Sequence, residues 1–253
     1  MTDFFPRSEL KVFITGGNSG LGRGLAEAYY RKGSQVILSG RNEQALREVT
    51  DQCPGMAYRV LDLTDRAAIA DCGAWLHKEH PDLDLLINNA GVQKILKFQS
   101  KLDTTDLLAE IDINLSALIL LTNEVLPILL KRPAGGVLNV SSGLAFVPLA
   151  ATPVYCATKA AVHSFSVSLR HQLRETGVRV IEVIPPKVDT NLHRHQEADL
   201  PDGLSVEDFV KETLNGLNQR RDEILVERAK SLYWLSRIVP GWIFKMLNSK
   251  DPR

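Results

Sequence analysis

Two kinds of hydrophobic segment alternate along the chain. Short segments rich in β-branched residues are typical of buried strands, and seven occur: Lys11–Thr15, Gln35–Leu38, Tyr58–Leu61, Leu83–Ile87, Gly136–Val140, Arg179–Ile184 and Glu223–Val226. Longer segments with helical spacing lie between them: Leu21–Arg31, Glu43–Cys53, Arg66–His80, Thr104–Lys131, Val154–Glu175 and Val206–Arg220. The alternation predicts a doubly wound α/β fold, with a seven-stranded, mainly parallel sheet and helices on both faces.

Composition and charge narrow the class of protein. The 253 residues carry 30 Lys and Arg against 30 Asp and Glu, and 44% are hydrophobic. A net charge of zero argues against a protein that binds nucleic acid through a broad basic surface. The length fits a single domain over residues 1–253, and three scattered cysteines favour neither a disulfide scaffold nor a zinc site. We therefore expect a cytoplasmic protein without a metal and, since Met1–Leu10 lacks an apolar core, without a secretory signal.

The end of the first strand carries a glycine-rich sequence. Open sheets of this kind bind ligands beyond the carboxyl ends of their strands. Glycines let the backbone approach a diphosphate, and free N–H groups at the start of the next helix attract its charge. A structural turn is the alternative, but the flanking strand and helix favour a dinucleotide. The residues expected to hold it here are Gly16, Asn18, Ser19, Gly20 and Leu21.

The end of the second strand indicates which dinucleotide is bound. An acidic residue is expected there when a ribose 2′-hydroxyl is recognised, but this chain has Arg41. A guanidinium pairs with a 2′-phosphate through two charge-assisted hydrogen bonds. The sequence therefore predicts NADP(H) in preference to NAD(H), against the alternative of a solvated arginine.

Polar residues after the later strands have more than one interpretation. Asp62 and Leu63 follow the third strand, and Asn89, Ala90 and Gly91 follow the fourth, where they either contact a nucleotide or cap the strands. Asn114 lies in an apolar helical run and must find hydrogen-bond partners. A contact between helices would satisfy it as well as a role in catalysis.

Tyr155 and Lys159 form the pair with the clearest chemistry. They are four residues apart on a predicted helix, so that their side chains share a face. A nearby ammonium lowers the pKa of a phenol, which makes it a proton donor or acceptor between alcohol and carbonyl. Such pairs are also frequent on surface helices, so this motif alone is weak evidence.

Together and in this order, the motifs resemble the classical short-chain dehydrogenases/reductases (SDRs), which have a Rossmann-type fold. The resemblance covers nearly the whole chain and is greatest with the DltE-like branch. It implies that Tyr155 exchanges a proton with the substrate oxygen and that Ser142, thirteen residues earlier, polarises this oxygen. It also implies that Lys159 lowers the pKa of the tyrosine and binds the nicotinamide ribose, while Asn114 holds a water of the proton relay.

The resemblance further implies an NADP(H)-dependent oxidoreductase that interconverts a carbonyl and an alcohol, with a small molecule of unknown identity as substrate. Homodimers or homotetramers through Thr104–Lys131 and Val154–Glu175 are expected. One departure is Pro185-Pro186, where the family has Pro-Gly; Pro185, Val188 and Thr190 remain expected cofactor contacts. A variable substrate lid is expected around residues 191–205.

The sequence leaves alternatives open for the function and for the C-terminal segment. A non-catalytic NADP(H)-binding sensor with the same fold is the main rival, since fold does not fix function. An enoyl reductase would need a differently spaced tyrosine and lysine. The C-terminal apolar segment, residues 229–247, contains Trp234 and Trp242. We expect it to pack in the core or between subunits, with contact to a membrane surface as the less favoured alternative.

Overall fold

One sheet organises the molecule. The computed structural model describes residues 9–190 and 203–249. Its strands are β1 (Lys11–Thr15), β2 (Gln35–Gly40), β3 (Ala57–Val60), β4 (Leu85–Asn88), β5 (Gly135–Val140), β6 (Val178–Ile184) and β7 (Glu223–Leu225). They pair in the order β3-β2-β1-β4-β5-β6-β7, and all six pairings are parallel. The doubly wound α/β fold predicted from the sequence is confirmed.

Helices connect successive strands, and two more follow the last strand. They are α1 (Gly20–Arg31), α2 (Glu43–Gln52), α3 (Arg66–Glu79), α4 (Thr104–Ile111), α5 (Ala117–Leu129), α6 (Pro153–Gln172), α7 (Val206–Asn218), α8 (Ala229–Ile238) and α9 (Pro240–Leu247). Side-chain caps fix several starts: Asn42 accepts from Ala45 N at 3.1 Å, and Asp65 and Ser205 cap α3 and α7 in the same way. These caps explain why the predicted helix starts agree with the observed ones.

The hydrophobic core has two layers, because neighbouring residues of a strand point to opposite faces of the sheet. Val12 and Ile14 of β1 belong to the layer that includes buried residues of α1, α2 and α7. Phe13, between them, belongs to the layer formed with α3, α5 and α6. The sheet is thus covered on both sides, which explains why its strands read as continuous apolar runs in the sequence.

The predicted helix Thr104–Lys131 is not regular throughout. A π-helical turn, Asp112–Ser116, separates α4 from α5. Residues Thr104–Leu129 are long and apolar enough to span a membrane by composition alone. They form a core helix instead, since Leu121 and Val125 are fully buried in the same layer as Leu76 of α3.

Candidate active site

A cavity of about 1220 Å³ opens at the carboxyl ends of the strands. It lies where β1 and β4 are neighbours, which is the point at which the strand order reverses and where such folds bind ligands. Most of the predicted site residues line it: Gly16, Asn18, Ser19, Gly20, Leu21, Arg41, Leu63, Asn89, Ala90, Gly91, Ser142, Tyr155, Lys159, Pro185, Val188 and Thr190. The predicted residues Asp62 and Asn114 are not part of its lining.

The glycine-rich loop has the shape that a diphosphate needs. Gly16 and Gly20 have φ angles of +64° and +52°, a region that favours glycine. A Cβ on Gly22 would lie 2.2 Å from the carbonyl oxygen of Gly16, so the loop closes tightly against α1. No side chain caps α1, and its first turn holds no acidic residue. The free N–H groups at this helix start therefore fit a dinucleotide.

Arg41 lies at the rim of the cavity and Asp62 beside it. The Asp62 carboxylate accepts hydrogen bonds from the backbone N and the hydroxyl of Thr64, at 2.9 and 2.8 Å. The backbone hydrogen bond is the largest effect that lowers the pKa of Asp62, and the charge of Arg41 adds to it. Asp62 thus shapes the loop after β3, whereas Arg41 is exposed and lines the cavity.

Asn89 ties the first strand to the fourth. Its backbone N donates to the hydroxyl of Thr15 at 3.0 Å, and its side-chain amide donates to the Thr15 carbonyl at 2.9 Å. Ala90 N donates to the same hydroxyl at 3.0 Å. The two interpretations left open by the sequence are therefore compatible, because these residues fix the strand ends and also line the cavity.

Asn114 occupies the centre of the π-helical turn and is buried. Its carboxamide oxygen accepts from Val92 N and its amide donates to Val92 O, both at 2.8 Å. The amide also donates to the hydroxyl of Thr158 on α6 at 3.2 Å. A Cβ on Gly91 would approach both Asn114 Oδ1 and Lys159 Nζ, at 3.3 and 3.5 Å. Asn114 therefore lies directly behind the cavity lining, next to Lys159.

Ser142, Tyr155 and Lys159 converge in the cavity. Ser142 lies two residues after the end of β5, while Tyr155 and Lys159 face the cavity from one side of α6. All three are buried, and Lys159 Nζ lies 5.7 Å from the centre of the Tyr155 ring. The Lys159 ammonium donates to the carbonyl of Val140 at 2.9 Å.

Burial dominates the electrostatics of this group. It raises the pKa of Tyr155, although a hydrogen bond with Ser142 acts in the opposite direction. The loss of water around the phenol outweighs the effects that lower the pKa of Tyr155, and the predicted lowering by Lys159 stays a prediction. Burial also lowers the pKa of Lys159 to about 8, opposed by the negative charge of Glu182.

A buried carboxylate lies behind this group, and sequence reasoning missed it. Glu182 of β6 is fully buried and accepts hydrogen bonds from Ser141 Oγ at 2.5 Å and His163 Nδ1 at 2.7 Å. A glutamate among the apolar residues at positions 180–184 was the available signal. His163, Glu182 and Glu223 could together ligate a metal by distance, but Glu223 also pairs with Arg170 at 3.2 Å. His163, Glu182 and Glu223 therefore belong, with Arg170, to an ion-pair network.

The chain after β6 completes the wall of the cavity next to Ser142. The carbonyl of Pro185 accepts from Gly143 N at 2.9 Å, which fixes this segment against the loop after Ser142. Pro186 also lines the cavity, in the position where the family has glycine. Thr190 contacts Gly20, with its methyl group 3.2 Å from where a Cβ would lie. The predicted lid falls mainly on residues 191–202, outside the described residues.

The helices α8 and α9 close the far side of the cavity. Leu232, Leu235, Ile243 and Leu247 line it together with Met246. The core packing predicted for this segment is confirmed for Ile243, which is 1% exposed. Trp234 and Trp242 are 60% and 58% exposed, so they do not pack in the core of the chain, and packing between subunits stays a prediction for them.

The fold and this site define a class of protein. The family model described as short chain dehydrogenase matches residues 10–201. The chain belongs to the short-chain dehydrogenase/reductase family, as the motifs predicted. It is an oxidoreductase of the classical, DltE-like type.

Individual relatives agree with this assignment. The chain is 42% identical over 246 residues to the uncharacterized oxidoreductase DltE of Bacillus subtilis, covering 95% of this chain and 97% of the relative. It is 36% identical over 175 residues to the NADP-dependent 3-hydroxy acid dehydrogenase YdfG of Shigella flexneri, covering 69% and 71%. The crystal structure of a short chain dehydrogenase from Burkholderia cenocepacia in complex with NADP superimposes with a TM-score of 0.83, at 26% identity, covering 95% and 98%.

Proposed function

We propose that this protein is an NADP(H)-dependent oxidoreductase that interconverts a carbonyl and a primary or secondary alcohol. The observation that carries the proposal is that Ser142, Tyr155 and Lys159 meet in the same cavity as the glycine-rich loop. The reacting groups and the expected cofactor site share one space. Such positioning is the protein's contribution to a reaction whose hydride the cofactor supplies.

The residues have distinct tasks in the proposed reduction. Ser142 donates a hydrogen bond to the carbonyl oxygen, which increases the positive charge on its carbon. Tyr155 gives its proton to this oxygen as the C=O π bond breaks and the alcohol O–H forms. The Lys159 ammonium, next to the phenol, stabilises the negative charge left on Tyr155. Bound nicotinamide supplies the hydride for the carbon, and oxidation of an alcohol is the reverse.

Asn114 contributes by fixing the backbone next to Lys159. Because its carboxamide is held by Val92 and Thr158, it fixes the π-helical turn next to Gly91 and Lys159. We propose that a water held at this turn returns a proton towards Lys159 after Tyr155 has given its own. A π-helical turn in a long helix is a frequent feature of functional sites, which supports this role.

The first experiment separates an enzyme from a sensor. NADPH oxidation is followed with a panel of ketones and aldehydes for the native chain and for Tyr155→Phe. We expect turnover to fall about 10³-fold, because the proton donor is lost, while NADPH binding stays nearly unchanged. Tyr30→Phe is the control, since Tyr30 hydrogen-bonds Pro54 far from the cavity. Equal turnover of Tyr155→Phe and the native chain would contradict the proposal.

The proposed cofactor preference depends on Arg41. Its exposed guanidinium at the rim of the cavity is available to a 2′-phosphate, and no acidic residue occupies the end of β2. We expect Arg41→Asp to weaken NADPH binding about 50-fold and NADH binding much less, since charge-assisted hydrogen bonds are lost. Fluorescence titration with both cofactors measures this ratio, with Arg31→Asp as a control. Equal weakening of both would remove Arg41 from the proposal.

We also propose a cytoplasmic homodimer or homotetramer that pairs through α4, α5 and α6. Two apolar side chains on these helices support this assembly, because Leu108 of α4 is 52% exposed and Val167 of α6 is 42% exposed. Light scattering of the purified chain measures the molar mass. A value of 28.1 kDa, that of one chain, would contradict both assemblies.

A further inference from the structure

The outer side of α8 and α9 exposes large apolar side chains close together in sequence. We define the C-terminal apolar face as Trp234, Ile238, Val239 and Trp242, which are 60%, 72%, 38% and 58% exposed. None of the four lines the cavity. Single exposed apolar residues are ordinary on protein surfaces, but a cluster with two tryptophans marks an interaction surface.

The charges around this face have one sign. Lys230, Arg237 and Lys245 are exposed, and residues 228–249 contain no Asp or Glu, although the whole chain has a net charge of zero. Across residues 9–190 and 203–249, no acidic side chain lies within ion-pair distance of these three. The Arg237 guanidinium stacks on the Tyr233 ring, 3.6 Å from its centre, which holds the charge at the surface.

The two short helices thus have two apolar sides. The inner side lines the cavity through Leu232, Leu235 and Ile243, and the outer side is the C-terminal apolar face with its basic rim. Exposed tryptophans flanked by Lys and Arg are typical of helices that lie in the headgroup layer of a bilayer. The basic rim complements the negative surface potential of anionic lipids.

A second copy of the chain fits this face less well. In a two-fold symmetric contact each surface meets itself, so that the basic rims of the two copies would approach each other with no acid from the same segment between them. The helices proposed for pairing of subunits, α4, α5 and α6, form a different surface. The charge therefore favours an anionic partner over self-association through this face.

We propose that α8 and α9 dock this protein on the surface of an anionic lipid bilayer, with the C-terminal apolar face in the headgroup layer. The contact is peripheral, because the face consists of a few side chains on two short helices. Docking would place the mouth of the cavity beside the bilayer, since the same helices form one of its walls. The proposal depends on the exposed surface and not on the reaction.

Sedimentation with vesicles tests the proposal on the full chain. Two kinds of vesicle are compared, phosphatidylcholine alone and phosphatidylcholine with about one third phosphatidylglycerol, each at low and high salt. We expect binding to the anionic vesicles that is at least about ten-fold stronger than to the neutral ones, and weaker at high salt. Equal binding to both, or binding to neither, overturns the proposal.

Variants locate the contact. Trp234→Ser combined with Trp242→Ser is expected to weaken binding at least about ten-fold, because the apolar anchors are lost. Lys230→Glu combined with Lys245→Glu is expected to weaken binding to the anionic vesicles about 25-fold or more, since each basic side chain near the surface contributes roughly five-fold. The matched controls are Phe98→Ser and Lys131→Glu, which alter exposed residues elsewhere.

The same samples identify a competing occupant. Circular dichroism and thermal unfolding check that each variant folds, and light scattering gives its molar mass without vesicles. Binding that survives both double variants overturns the proposal. A native molar mass that halves in Trp234→Ser/Trp242→Ser would show that a second copy covers the face, and this also overturns it.

Discussion

Two walls of the same cavity are built in different ways. The catalytic wall carries Ser142 just after β5 and Tyr155 and Lys159 on α6, and buried polar side chains support it from behind. The C-terminal wall consists of apolar side chains of α8 and α9, whose outer side is the exposed C-terminal apolar face. One wall is positioned by directional hydrogen bonds and the other mainly by apolar packing.

The contacts behind each wall make this difference concrete. Glu182 links the strand end next to Ser142, through Ser141, to the helix of Lys159, through His163. The C-terminal wall has an edge-to-face contact between Tyr233 and Phe146, and Asn248 bonded to the backbone of the loop before α6.

The two walls therefore differ in how precisely their side chains must be positioned. A proton donor and its partners must be held to a fraction of an ångström, which directional bonds achieve. An apolar wall only has to exclude water and match a shape. We therefore expect the catalytic wall to keep one stable conformation. The C-terminal wall is expected to be the part that changes its shape to fit a substrate.

The largest effect is expected for Glu182→Ala. The substitution leaves His163 and Ser141 without their buried acceptor, and we expect the free energy of unfolding to fall by about 3 kcal/mol. Urea unfolding followed by circular dichroism measures it. Glu182→Gln, which can still accept from Ser141, is the matched control and should lose less. A change below about 1 kcal/mol would mean that the network does not stabilise the catalytic wall.

A pH dependence of intermediate size is expected from His163. Its hydrogen bond with Glu182 raises the pKa of His163 above its ordinary value of 6.5, with Glu223 acting in the same direction and Arg237 against it. The folded protein therefore holds the proton more tightly than the unfolded chain. The resulting stability is complete below about pH 6.5 and is lost as the pH rises through the folded pKa.

Urea unfolding at several pH values measures this dependence. In His163→Gln the loss of stability above pH 6.5 should become smaller, because the titrating group is gone. His171→Gln is the control, since His171 lies two turns further along the same helix. An unchanged pH dependence in His163→Gln would show that another group causes it.

The smallest effect is expected on the C-terminal wall. Asn248→Ala removes hydrogen bonds to Ala150 N at 2.6 Å and Pro148 O at 3.1 Å, in an exposed position. We expect the free energy of unfolding to fall by about 1 kcal/mol. Ser249→Ala, which loses a hydrogen bond within its own segment, is the control. A loss larger than that of Glu182→Ala would reverse the comparison of the two walls.

Much of the fold could be predicted because it follows from local patterns. The bounds Lys11–Thr15 of β1 were predicted correctly, and those of the other strands differ only at their ends. The π-helical turn at Asn114 could not be predicted, because it results from the bonds of its side chain to Val92 and Thr158. The residues on both sides of the turn are largely apolar, so the sequence indicated one continuous helix.

The site residues that lie directly after strands could also be predicted, since the parallel sheet brings the strand ends to one edge. Glu182 could not be predicted, because it lies within a strand and its partners Ser141 and His163 come from the segment after β5 and from α6. The exposure of Trp234 could not be predicted from the sequence either. An apolar helix predicts a buried face, but it does not say how many of its sides find a partner.

The sequence by itself determined the fold class and identified the glycine-rich loop, Arg41 and the pair Tyr155 and Lys159 as candidate site residues. Each of these depends on residue type and on spacing along one or two elements. Only the tertiary structure decided the electrostatics and the surfaces. Burial raises the pKa of Tyr155, Glu182 lies behind the catalytic wall, and α8 turns its tryptophan outward. These properties depend on which distant segments come together and on how much water they exclude, and neither is encoded in any local pattern.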